Sequence, residues 1–133
     1  MPTARTSVGG AAVNGIIYAI GGQPGNGSTW LSTVEAYDPA TDTWTSRAPM
    51  PTAREGSAVG IIDGIVHVIG GNGAGWNPLA THEAYDPVSD SWSVKEPMPT
   101  IRAWSGAAVF NSSLFVIGGN RVPGMEFVEA YTP

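Results

Sequence analysis

The stretch IVHVIGG, Ile65–Gly71, decides how this chain folds. Four of its first five residues are β-branched, and a glycine pair stops the run at once, so it reads as a short strand. It shows no alternation of apolar and polar residues, which predicts a strand covered on both faces. The phrase occurs twice more, as IIYAIGG at Ile16–Gly22 and as LFVIGG at Leu114–Gly119. A strand that recurs with its stop signal belongs to a repeat, and the residues around it repeat too.

Before each copy stands a small apolar phrase: VGGAAV at Val8–Val13, SAVGII at Ser57–Ile62 and SGAAVF at Ser105–Phe110. Asn14-Gly15 and Asp63-Gly64 then join the first two phrases as two-residue hairpin turns. After each copy comes VEAYDP at Val34–Pro39, HEAYDP at His82–Pro87 or VEAYTP at Val128–Pro133. A fourth phrase, TDTWTSRAP at Thr41–Pro49 and SDSWSVKEP at Ser89–Pro97, has no third copy. Between units runs a junction, MPTAR at Met1–Arg5 and Met50–Arg54, then MPTIR at Met98–Arg102. One domain over 1–133 follows, made of repeats 1–49, 50–97 and 98–133.

Four-stranded units recurring at about 50 residues have the period of propeller blades. In the glycine pair, the VEAYDP strand, the spaced Trp44 and Trp92 and the PMPTAR junction, the sequence resembles the kelch family over nearly its whole length. The resemblance implies an all-β arc of three four-stranded blades, the third lacking its outer strand. It implies that the first strand of each blade lines a central channel, where Gly and Ala permit close approach. His67 stands where the other copies have Tyr18 and Phe115, so a planar ring rather than a metal ligand is expected there. Trp44 and Trp92 are expected to pack between neighbouring blades.

Propellers close with roughly four to eight blades, and the resemblance implies about six or seven. An arc of three leaves two apolar flanks open, which monomers rarely tolerate. Two arcs head to tail would give six blades about a twofold axis. The expectation is therefore a homodimer whose junction runs from Pro133 of one copy to Met1 of the other. A fragment of a longer six-blade protein is the alternative reading of the same pattern.

A net charge of −5 offers no basic surface for nucleic acid. No apolar run approaches membrane-spanning length. With no cysteine there is no thiol nucleophile and no crosslinked-tyrosine copper chemistry, so no cofactor is expected. GGNGAG at Gly70–Gly75 is not a dinucleotide loop, because Trp76 stands where the last glycine is required. Glu35, Glu83 and Glu129 recur at one strand position, which points to a scaffold hydrogen bond. An enzyme is not expected.

Alternate connections of a meander emerge on opposite faces. Parity thus gathers the junctions and the loops Gln23–Ser32, Asn72–Ala80 and Asn120–Glu126 on one face. Loops that vary on a constant scaffold are the usual place for recognition. The candidate ligand residues are Arg5, Arg54, Arg102, Trp104, Trp30, Trp76, Asn72 and Asn120, with Arg121 in the third loop. Resemblance to kelch domains that recruit peptides implies that the junction arginines bind acidic side chains. Glu55 and Ala103, following two of them, depart from that pattern, and the arginines could instead hydrogen-bond blade backbones. The expected function is a binding module for a protein, peptide or small anion. A sugar-acid-binding or mutarotase-like protein and a purely structural blade array are the alternatives.

Overall fold

A computed structural model describes residues 1–25, 27–120 and 128–133. Strands β1 (Gly9–Val13), β2 (Ile16–Ile20), β3 (Val34–Asp38) and β4 (Thr43–Arg47) form an antiparallel meander in sequence order. The second sheet contains β5 (Ala58–Ile62), β6 (Ile65–Ile69), β9 (His82–Asp86) and β10 (Ser91–Lys95) in the same order. Between β6 and β9 a small ribbon of β7 (Asn72–Gly73) and β8 (Asn77–Pro78) is closed by a turn at Ala74–Trp76. The third sheet has three strands, β11 (Gly106–Phe110), β12 (Ser113–Ile117) and β13 (Val128–Tyr131).

The hairpins form where the sequence places them. Asn14 and Gly15 have φ of 51° and 79°, and Asp63 and Gly64 have 50° and 80°, the left-handed pair that a tight hairpin requires. The third hairpin makes the same turn from Asn111 and Ser112, at φ 48° and 56°, without a glycine.

The first strands β1, β5 and β11 lie side by side at the inner edge of the arc. Their small residues have a direct steric reason. A Cβ on Gly9 would stand 2.7 Å from Val59 Cγ2, and one on Gly60 would collide with Leu114 Cδ1.

The sheets pack face to face through two cores. Between the first and second, Ala11, Val13, Tyr18, Ile20, Val34 and Ala36 meet Val66, Val68 and Tyr85. Between the second and third, Ala58, Ile62 and Ile69 meet Leu114 and Val116. Both interfaces repeat one ring contact. Tyr18 meets the edge of Tyr85 at 5.7 Å, and His67 meets Tyr131 at 5.4 Å. His67 is thus a ring among rings, as its position among aromatics suggests.

Strand β6, in the middle blade, is buried along nearly its whole length. Its counterpart β12 alternates between buried and open residues, and β2 is buried over Tyr18–Ile20 but open at Ile17. Ile17 is 44% exposed on the first blade, and on the third Phe110 is 67%, Ile117 48% and Val128 56% exposed. Trp92 packs on Tyr85 and donates its indole N–H across the blade boundary to Ala48 O at 2.9 Å. Trp44 makes the matching contact with Tyr37 inside the first blade.

Candidate recognition face

Each junction is held in two directions. Toward its own blade, Thr6 pairs with Gln23, Glu55 with Asn72 and Ala103 with Asn120 as single bridges. This places each junction beside the loop that follows the glycine pair, the juxtaposition that parity predicts. Toward the preceding blade, Gly22 donates to Arg54 O and Gly71 to Arg102 O, both at 2.9 Å. Met50 lies over Gly21 and Met98 over Gly70, where an added Cβ would stand 2.8 and 3.1 Å from the two Cε atoms. The junction is a latch, and the glycine pair of the blade before it is the socket.

The three arginines turn into their blades. Arg5 lies 3.0 Å from Glu35, Arg54 2.9 Å from Glu83 and Arg102 3.3 Å from Glu129. Each also donates to a strand-end carbonyl: Arg5 to Ala19 O, Arg54 to Val68 O and Arg102 to Gly118 O. The Thr3, Thr52 and Thr100 hydroxyls donate to the same three glutamates at 2.6–2.7 Å. Burial pushes the guanidinium pKa of Arg5 and Arg54 down, and the paired glutamate pulls each part of the way back. The recurring glutamate is therefore the counter-ion of the recurring arginine. The threonine of the triad is a participant that motif reading passed over, although it stands two residues before every junction arginine.

Above this neutralised layer the loops form a cleft. It has a volume of about 390 Å³ and is lined by Asn72, Gly75, Trp76, Asn77, Trp104 and Asn120. Four expected site residues thus come together: Trp76, Trp104, Asn72 and Asn120. Trp30 stands behind them, its ring meeting Trp76 edge-on at 5.6 Å. Arg121 and the third loop beyond Asn120 lie outside the described residues.

Trp104 has φ of 59° and Trp76 has 60°, left-handed values unusual for a bulky side chain. Trp104 occupies the position of Ser7 and Gly56 in the other blades, all three left-handed. Its N–H donates to Gly56 O at 2.8 Å, and its ring lies flat over Gly56. A Cβ on Gly56 would stand 2.8 Å from Trp104 Cε3. Trp104 is 44% and Trp76 47% exposed, whereas Asn72 is only 5% exposed. The Asn72 carboxamide makes no hydrogen bond with any described residue.

Four-stranded meanders packed face to face, with their first strands inward and each latched to the next through a glycine pair, are the blades of a β-propeller. The family model of the Kelch motif matches residues 4–51 and again 53–99. The chain belongs to the kelch-repeat family. It is 39% identical over 71 residues to Beta-scruin of Limulus polyphemus, covering 53% of this chain and 8% of that protein. It is 42% identical over 72 residues to the Influenza virus NS1A-binding protein homolog of Mus musculus, covering 54% and 11%. The Kelch-like ECH-associated protein 1A of Danio rerio is 39% identical over 71 residues, covering 52% and 12%. The matches therefore span about a tenth of the length of these relatives. Kelch repeats are generally protein-interaction modules.

Proposed function

We propose that this chain is a binding module that engages a protein partner through the cleft of Trp76, Trp104, Asn72 and Asn120. The observation that carries this reading is the contrast within one face. The scaffold beneath repeats from blade to blade, while the residues above it change identity and present two exposed indoles. Such a surface costs stability unless it is used. The ligand contacts fall to the indoles and carboxamides, because the junction arginines are already paired with glutamates. A sugar acid would need one of those guanidinium groups turned toward the cleft.

Panning a random peptide library against the chain tests this. Selected binders should lose affinity to Trp104→Gly and Trp76→Ala and be indifferent to Asp63→Lys on the opposite face. Binders that depend on Asp63 and ignore both tryptophans would overturn the reading.

The open flanks favour a second element, completion of the ring by another copy of the chain. The third blade presents a socket, since nothing lies within 4 Å of a Cβ placed on Gly118. The first blade presents a spare latch, Met1–Arg5, with Met1 exposed. Repeating the internal geometry would bring Arg5 O of one copy to Gly119 N–H of the other. Met1 would then cover Gly118, and Tyr37 would meet Phe115. Light scattering should give twice the chain mass at micromolar concentration, and Phe115→Asp should reduce it to one. A parent chain that stays monomeric and folded at that concentration would refute the closure.

A further inference from the structure

We infer that the cleft recognises an uncharged, proline-rich segment in the polyproline II conformation; this rests on reading the loop face as a recognition surface. Four observations lead to that chemistry.

The first is charge. Asn72, Trp76, Asn77, Trp104 and Asn120 supply no ionised group, and the junction arginines Arg5, Arg54 and Arg102 are each paired with a glutamate. Among the described lining residues, an acidic or basic segment would lose hydration without gaining a counter-ion.

The second is the readiness of the rings. Trp104 is backed by Gly56 and Trp76 by Trp30, and both backbones are locked at φ near 60°. Platforms fixed before binding lose little entropy on contact, and left-handed strain in bulky residues is retained where it serves a site. A pyrrolidine ring is flat, apolar and held by its own backbone, so it suits an indole face.

Third, Asn72 is 5% exposed, lines the cleft and spends its carboxamide on no described residue. Its amide atoms are not sealed from water, so a ligand carbonyl can take the place of a water there. Polyproline II has no internal hydrogen bonds, so every carbonyl of such a ligand is free to accept from the Asn72 amide. A helical ligand has most of its carbonyls occupied.

The fourth observation excludes strand addition. The backbone beside the cleft is already paired, Glu55 N–H to Asn72 O at 3.0 Å and Asn72 N–H to Glu55 O at 2.8 Å. An extended peptide finds no open ladder there. Aromatic grooves with a few amide donors are the recurring solution for proline-rich segments.

The test uses fluorescein-labelled deca-proline, a glycine–serine decamer and hexa-glutamate, followed by polarisation on the full chain. Deca-proline should bind at least tenfold more tightly than either control, with affinity unchanged between low and high salt. Trp104→Gly should weaken it tenfold or more; glycine stands at the matching position of the second blade, so the backbone accepts it. Asn72→Leu should do the same, and the melting temperatures of both variants establish that they fold. Equal binding of all three peptides, preference for hexa-glutamate, or indifference to Trp104→Gly in a folded variant would overturn the inference. Displacement by a neutral hexose but not by deca-proline would assign the cleft to a polyhydroxyl ring instead. Should panned binders require Trp104 yet lack proline, the binding-module reading stands and this inference falls.

Discussion

Arg54 and Glu83 face each other at 2.9 Å in the middle blade, with side chains 0% and 1% exposed. The pair is held by charge more than by hydrogen-bond direction, since neither Arg54 Nη1 nor Glu83 Oε2 has a well-angled partner. Removing one member leaves an uncompensated buried charge, which costs about 3–5 kcal/mol. Arg54→Met and Glu83→Leu should each fall in that range by urea denaturation, and the double variant should recover much of the loss. Arg102→Met should cost less, because Arg102 and Glu129 are 8% and 17% exposed. Equal costs at Arg54 and Arg102 would contradict this ordering.

The latch makes a second, sharper comparison. Gly70 and Gly118 have φ of 63° and 65°, so alanine meets the same left-handed penalty of about 1–2 kcal/mol at either. At Gly70 the new Cβ would also stand 2.5 Å from Arg102 O, whereas at Gly118 it meets nothing within 4 Å. Gly70→Ala should therefore lower the melting temperature by clearly more than Gly118→Ala. If a second copy fills the Gly118 socket, Gly118→Ala should instead show its main effect as a weaker dimer in sedimentation.

Trp92 and Trp44 occupy equivalent strand positions in unequal surroundings. Truncating a well-buried Trp costs about 3–5 kcal/mol, and half-buried Trp92, with its bond to Ala48 O, should reach about 3. Trp44 packs on Tyr37 within its own blade, and no sheet among the described residues lies against it on that side. Trp44→Ala should cost clearly less under conditions where the chain is monomeric. Matched thermal melts of the two variants decide it.

Much of this was legible in the letters. The hairpin at Asn14-Gly15, the unalternating run Ile65–Ile69 and the three-fold recurrence of VEAYDP suffice for blades, because turn chemistry and strand burial are local properties. Parity along the meander was enough to gather Trp76, Trp104, Asn72 and Asn120 on one face. The Arg–Glu pairing was less accessible, since its partners lie about thirty residues apart and meet only through sheet register. Nothing in the letters tells that a guanidinium turns inward rather than toward solvent. The left-handed Trp104 was equally hidden: Ser7 and Gly56 at the matching positions reveal the backbone requirement only after the blades are superposed.

Acid should loosen the contact between the second and third blades before it affects the carboxylates. His67 Nδ1 and His82 Nε2 lie 2.9 Å apart, and His82 Nδ1 lies 3.3 Å from Glu96 O. The chain is consistent when His82 donates to Glu96 O and accepts from His67, with both rings neutral. Burial pushes the pKa of His82 down to about 4, helped by His67, Lys95 and Arg54, against the raising effect of Glu96 O; burial and Lys95 lower that of His67. Tyr131 of the third blade covers both rings, at 4.5 and 5.4 Å. Well above pH 6.5 these histidines are neutral whether the chain is folded or not, so there they do not alter stability with pH. Below that value the unfolded chain takes up protons that the folded one refuses, and stability falls as pH drops toward 4. For His82 alone the loss should reach about 2 kcal/mol at pH 5. Asp90 and Asp86, held below the usual carboxylate range chiefly by Tyr85 and Ser89 respectively, add their loss only at lower pH. His82→Gln keeps a donor for Glu96 O and an acceptor for His67 but cannot be protonated. Its denaturation midpoint should change less between pH 7 and pH 5 than the parent's, and parallel midpoints for the two would show that the pair does not govern this window.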